Sequence, residues 1–199
     1  MSSYVFVSPG SDPGMGRPLH DPYFGAGIQP TMGSCRPDLR RHVRLGDQVF
    51  VISGSMGPRK GVAQYVIGGL VVDRILDDQL AAYREFPEHR LHYDAEGNRS
   101  GNIIVTARGK QHPRDHHPPE TFQGRIQNYL VGKNPVVLES TKEISLAREH
   151  SVQILAEVLD VPGAVTVRDV VGRSWRKLST DQANRLREAL LDLKKEARA

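Results

Sequence analysis

The chain has 199 residues, with 27 Lys/Arg against 23 Asp/Glu for a net charge of +4, and a single cysteine. That length can bury one core of ordinary size, and a lone thiol excludes an intramolecular disulfide. No apolar run approaches the roughly 18 residues that span a bilayer, and MSSYVFVSPG lacks the basic, apolar and small-residue order of a secretory leader, so a cytoplasmic protein with no membrane partner is expected.

The positive charge is uneven. Residues 36–60 hold six Lys/Arg against Asp38 and Asp47. A second basic zone runs from Arg108 to Lys133 and contains His112, His116 and His117. Basic zones of this kind attract phosphate polyanions.

In chain order, YVFV (4–7) is a β-prone run that ends in SPGSDPGMGRP, where three prolines and three glycines force an irregular loop. The loop continues through LHDPYFGAGIQPTMG. A helix is expected from Cys35 to Arg44, with Pro37 in its first turn and Leu39 and Val43 on one face. A Gly-Asp turn then leads into the strand QVFVIS. In VAQYVIGGLVVDRIL (62–76) the twin glycines Gly68 and Gly69 predict a bulge or bend in a long strand. A short helix over 77–86 and strands at 103–107, 128–131 and 135–139 follow. Two capping boxes, Ser140/Glu143 and Ser179/Gln182, open C-terminal helices, and AVTVRDVV between them reads as one more strand. The stripe Ala183, Leu186, Leu190, Leu193 and Ala197 is a docking face or a short dimerisation seam.

Among chemical motifs, GSDPGMG follows a strand but lacks the helix N-terminus that phosphate binding needs, so it reads as a structural loop. His112, Asp115, His116 and His117 lie between prolines without metal-ligand spacing and read as a solvated loop. Cys35, flanked by arginine at a helix start, is either a nucleophile with a lowered pKa or a small wall residue. Ser34 and Cys35 offer backbone N–H groups at that same helix start, where an anion or a polar base edge can be held. The arginines beyond them either reach phosphate or are merely solvated.

The segment GSCRPDLRRHVRLGDQVFVISGS, followed by YVIGGLVVDRIL, resembles the nucleotide modification associated domains. In those domains a Cys-x-Pro-x-(Ile/Leu)-Arg segment precedes a basic residue, a Gly-Asp turn, a strand ending in Gly-Ser and a further strand. The matching positions are Cys35, Pro37, Leu39, Arg40, Gly46, Asp47, Gly54 and Ser55, and the resemblance covers about residues 20–90. The long N-terminal loop and the helices from Ser140 onward have no counterpart in it. The resemblance implies a place in the PUA-like group, with the EVE, YTH and ASCH domains, and hence an α+β fold built on a small curved β-barrel with surrounding helices. It also implies a non-enzymatic module that reads a modified base in DNA or RNA, of the kind found among phage and bacterial DNA-modification or defence genes.

On this reading residues 1–160 form the PUA-like domain, and 161–199 form an extension that packs on it or mediates homodimerisation. A base drawn from its stack needs an apolar or aromatic wall and polar groups for its edge. Tyr23, Phe24, Tyr65 and Cys35 are the wall candidates, and Ser34, Ser53 and Gly54 the edge candidates. Arg36, Arg40 and Arg41 would rim the pocket, with Arg44, Arg59, Lys60, Arg108, Lys110 and Arg125 holding the backbone. No cofactor, metal or catalytic residue is expected. The rival readings are an enzyme using Cys35 or the histidine loop, and an interaction module using Leu186, Leu190 and Leu193.

Overall fold

The apolar run QVFVIS forms β3 (Gln48–Ser53), in which every residue is buried. Such a run suits a strand covered on both faces. The computed structural model containing it describes residues 2–25, 27–55 and 62–199. Its other strands are β1 (Ser3–Ser8), β2 (Thr31–Met32), β4 (Val66–Asp78), β5 (His92–Tyr93), β6 (Arg99–Ser100), β7 (Gln127–Val137) and β8 (Trp175–Leu178). The helices are α1 (Pro37–Arg40), α2 (Gln79–Glu85), α3 (Pro119–Arg125), α4 (Thr141–Val158), α5 (Val167–Val171) and α6 (Thr180–Arg198). The fold is therefore mixed α+β.

Six strands are hydrogen-bonded in the order β2-β7-β4-β3-β1-β8, and β5 pairs with β6 in a separate hairpin. That order is open, and no closed barrel is found among the described residues. The chain divides into two units, one of residues 1–19, 46–71 and 134–199, the other of residues 20–45 and 72–133. The segment from residue 161 belongs to the same unit as α4.

In the first unit β1 runs parallel to β3, Tyr4 opposite Val49, and β8 pairs antiparallel on the other side of β1. β4 pairs antiparallel with β3, and the register slips between Val51 and Ile52, beside the twin glycine. Both glycines are required by close packing: a Cβ on Gly69 would strike the Phe50 ring, and one on Gly68 the Val136 carbonyl. α4 and α6 begin at the two expected capping boxes. The α6 stripe Ala183, Leu186, Leu190 and Leu193 is buried, as is the α4 stripe Ala147, Ser151, Leu155 and Val158, and the two helices pack on one another. The docking face of α6 is thus spent inside its own unit.

In the second unit Ala82, Phe86, Leu91, Ile103, Ile104, Val105, Phe122, Tyr129 and Val131 form the core. β2 pairs antiparallel with β7, Thr31 opposite Val131. Four local expectations change. The helix expected over 35–44 is only the four residues of α1, and 103–107 makes isolated bridges rather than a strand. The two strands expected at 128–131 and 135–139 are one continuous β7, which takes Asn134 through a left-handed φ of 48°. The run 164–171, read as a strand from its valines, forms α5 because Thr166 and Asp169 close a capping box. No helix among the described residues is long and apolar enough to cross a membrane.

Glu143 shows how firmly α4 is anchored. Burial would raise its carboxyl, but the N–H groups of Glu139 and Ser140 and the Lys194 ammonium outweigh burial and hold it at about 2. Its ordinary value is 4.5, so the stabilisation is complete above about pH 4.5 and is lost as pH falls through about 2. Glu143→Gln is expected to flatten the acid limb of a pH-dependent urea denaturation series between those values. An unchanged limb would locate the acid sensitivity elsewhere.

Candidate functional site

The N–H groups at Gly33, Ser34 and Cys35 converge on an anion, and it is the chain's own. The Asp21 carboxylate accepts from Gly33 and Ser34 at 2.9 Å each and from Cys35. Asn102 Nδ2 adds a fourth bond at 2.8 Å. Asp21 is 2% exposed, so these backbone donors are closed to a ligand, contrary to the expectation for Ser34 and Cys35. Only glycine fits at position 33, because a Cβ there would enter the Tyr129 ring.

Arg40 is likewise internal, at 1% exposure. Its Nε donates to the Cys35 carbonyl at 2.9 Å, Nη2 to that of Arg125 at 2.6 Å, and Nη1 to those of Asn128, at 2.9 Å, and Gln127. Burial draws the guanidinium down to about 10, against the pull of Asp21, and it remains a cation at neutral pH. Arg40 is therefore no pocket rim: it fixes the start of β7 against the turn at Cys35. Arg125 is also committed, donating to the Ser34 carbonyl at 3.1 Å and to Thr121 Oγ1 at 3.0 Å. Arg36, left-handed at φ 50°, pairs with Asp38 at 2.7 Å. Arg44 folds its guanidinium onto the Arg41 and Val43 carbonyls, and Arg41 is exposed.

The Cys35 thiol moves opposite to an activated nucleophile. Burial and then the Asp21 charge push it up to about 12, despite Arg125 and Arg40.

Tyr23 and Phe24 are half-buried. The Tyr23 ring stands edge-on to His89 with centroids 5.1 Å apart, and its backbone bridges to Thr31. Behind it lies a fully buried polar cluster. Thr31 Oγ1 is 2.7 Å from His89 Nδ1, and the Tyr129 hydroxyl donates to Asn102 Oδ1 at 2.8 Å. Gln79 donates to the Gly33 carbonyl and accepts from the Ile104 N–H, both at 2.6 Å. Burial lowers the His89 imidazole and Glu88 only partly restores it. Asp21, Thr31, Gln79, His89, Asn102 and Tyr129 were not legible as a group, since each reads locally as an ordinary loop, strand or helix residue.

The second basic zone is ordered rather than merely solvated. The Thr106 N–H donates to the Lys110 carbonyl at 2.8 Å and the Gly109 N–H to that of Thr106 at 2.9 Å, with Gly109 at φ 71°. This tight turn presents Arg108 and Lys110, both exposed, and neither has an ion-pair partner among the described residues. A few residues on, the Arg114 guanidinium lies 3.6 Å from the Tyr93 ring centroid. The Tyr93 hydroxyl donates to the Arg114 carbonyl at 3.0 Å, and His116 stands edge-on to the same ring. Arg90 covers Tyr83 in the same manner at 4.0 Å. Asp115 accepts from Gln111 at 2.8 Å and sits 2.7 Å from His117 Nδ1. Among the described residues no three metal-ligating side chains form a group that could hold an ion.

Ser53, Gly54 and Tyr65 lie together in the first unit. Ser53 Oγ accepts from the Tyr65 N–H at 3.0 Å, and the Gly54 N–H donates to Ser11 at 2.7 Å. The Tyr65 ring is buried beneath Arg148, whose guanidinium lies 4.7 Å away and pairs with Asp12 at 2.6 Å. Tyr65 is thus core, and its hydroxyl accepts from Gly14 in the glycine-rich loop. Beyond Ser53 a cleft of about 400 Å³ opens at the carboxyl ends of β1 and β3, lined among others by Ser55, Gln64, Arg168 and Arg173. Arg59 and Lys60 lie outside the described residues.

No family model, curated protein or solved structure matches this chain.

Two outcomes check this geometry. A thiol at about 12 rather than 9.0 carries roughly a thousandth of the thiolate at pH 8. Iodoacetamide is therefore expected to alkylate native Cys35 far more slowly than Cys35 in urea, and equal rates would contradict the assignment. Asp21→Asn turns an amide toward four donors and leaves Arg40 without its nearby carboxylate, which lowers stability by about 3 kcal/mol in urea denaturation.

Proposed function

We propose that the chain is a PUA-like nucleic-acid-binding module that recognises a modified nucleobase in DNA or RNA. The observation that carries this reading is the turn bearing Arg108 and Lys110 beside the Arg114–Tyr93 stack. Two unpaired cations address phosphates, and an arginine-covered aromatic ring is the kind of surface on which unstacked bases lie. Half-buried Tyr23 and Phe24 add aromatic surface in the same unit, and exposed Arg41 adds charge.

Within the first unit, taken by itself, a nucleobase would fit the cleft at the carboxyl ends of β1 and β3. Its volume of about 400 Å³ falls within the range of small-molecule pockets. Gln64, whose Nε2 is held by the Ser53 carbonyl at 2.7 Å, keeps its amide oxygen for a base edge, and Arg168 and Arg173 supply charge. Arg40, Arg125 and the N–H groups of Ser34 and Cys35 serve as framework for the module rather than as contacts.

Binding of fluorescein-labelled oligonucleotides, followed by anisotropy across a salt series, tests both parts. Arg108→Ala with Lys110→Ala is expected to weaken all sequences alike and to lower the slope of log K against log salt by about 1.4 on single strands or about 1.8 on duplex DNA. Gln64→Ala should instead erase discrimination within a panel of modified-base oligonucleotides. Absence of binding at low salt overturns the reading.

A further inference from the structure

The outer side of α4 and the turn after it enclose a groove of about 730 Å³ that the nucleic-acid reading leaves unused. Val152, Ala156, Val161 and Val165 give it apolar walls, and Glu149, Glu157 and Asp160 give it three carboxylates. Among the described residues no lysine, arginine or histidine lines it, in a chain whose net charge is +4. Val165 is 80% exposed, more than any other large apolar side chain among the described residues.

The groove is preformed. The Val161 N–H donates to the Ala156 carbonyl at 2.9 Å, closing the turn onto the helix. The Thr166/Asp169 capping box then fixes the far wall, with the Val165 N–H also donating to Asp169 at 3.2 Å. Two arginines that reach the end of α4 are engaged by backbone carbonyls. Arg185 donates to the Glu157 backbone carbonyl at 2.8 Å and lies 3.8 Å from Asp181, and Arg176 donates to the Leu159 and Val170 carbonyls.

We propose that this groove receives a segment of a partner protein in which an apolar anchor is flanked by lysine or arginine, presented as a basic amphipathic helix. The apolar walls take the anchor, and the three carboxylates meet the flanking cations. The same carboxylates repel phosphate, which turns nucleic acid away from this face. The inference is independent of the nucleic-acid reading and survives its failure.

The test is a titration of the ¹⁵N-labelled full chain with a synthetic amphipathic Leu/Lys peptide, and with a Leu/Glu peptide of the same apolar spacing. Saturable shifts at the amides of residues 149–165 are expected with the Leu/Lys peptide alone, weakening as salt rises. Glu157→Lys with Asp160→Lys should lower that affinity roughly tenfold or more. Val165→Asp, at a side chain the fold leaves exposed, should lower it too while the thermal midpoint stays put. The proposal is overturned by a lack of saturable shifts, by an equal response to the Leu/Glu peptide, by undiminished affinity in both variants, or by a short oligonucleotide shifting the same amides.

Discussion

The second unit depends on a pair of opposite charges taken out of water. Asp21 is held by three successive backbone N–H groups and Asn102, and Arg40 by four carbonyls from two stretches of chain. Each charge is satisfied by bonds, and the Asp21 charge favours that of Arg40 against burial. Removing either leaves an uncompensated buried ion, a large penalty compared with the marginal stability of a domain. Segment 20–45, rich in proline and glycine and poor in regular structure, takes its order from this pair. Burial is the main reason the Cys35 thiol is pushed up, and the Asp21 carboxylate that organises the turn adds to it by disfavouring a second negative charge beside it, against the pull of Arg40.

What the sequence revealed divides by the range of the interaction. The capping boxes of α4 and α6 were readable because donor and acceptor lie three residues apart. The twin glycine was readable because its absent side chains announce close approach. The polar cluster was not, since Asn102 reaches Asp21 across 81 residues and Arg40 reaches Asn128 across 88. The stretch RPDLRRHVR shows the limit most clearly. Counting charges gave a basic helix, yet α1 is a single turn, Arg40 points inward, Arg36 answers Asp38 and Arg44 answers its own backbone. Valine content misled at α5, where a two-residue capping contact outweighed β-propensity. The open strand order likewise lay beyond local pattern, because it is set by pairings between distant segments.

A net charge of +4 conceals surfaces of opposite sign. The second unit displays Arg108 and Lys110 on a tight turn and arginines over the Tyr83 and Tyr93 rings. The first unit displays an apolar groove with Glu149, Glu157 and Asp160 on its lining, as well as the cleft lined by Arg168 and Arg173.

The division of the chain gives β4 and β7 a further significance. Each strand begins in one unit and ends in the other, the changes falling between residues 71 and 72 and between 133 and 134. Neither unit is a contiguous stretch of sequence, so no single cut of the gene releases one of them intact. A truncation to residues 20–90, the segment that resembles a base reader, would keep β4 but discard β7, which begins in the second unit and ends in the first. For this protein the two units are physically inseparable by truncation: each is completed by strands that the other begins or ends.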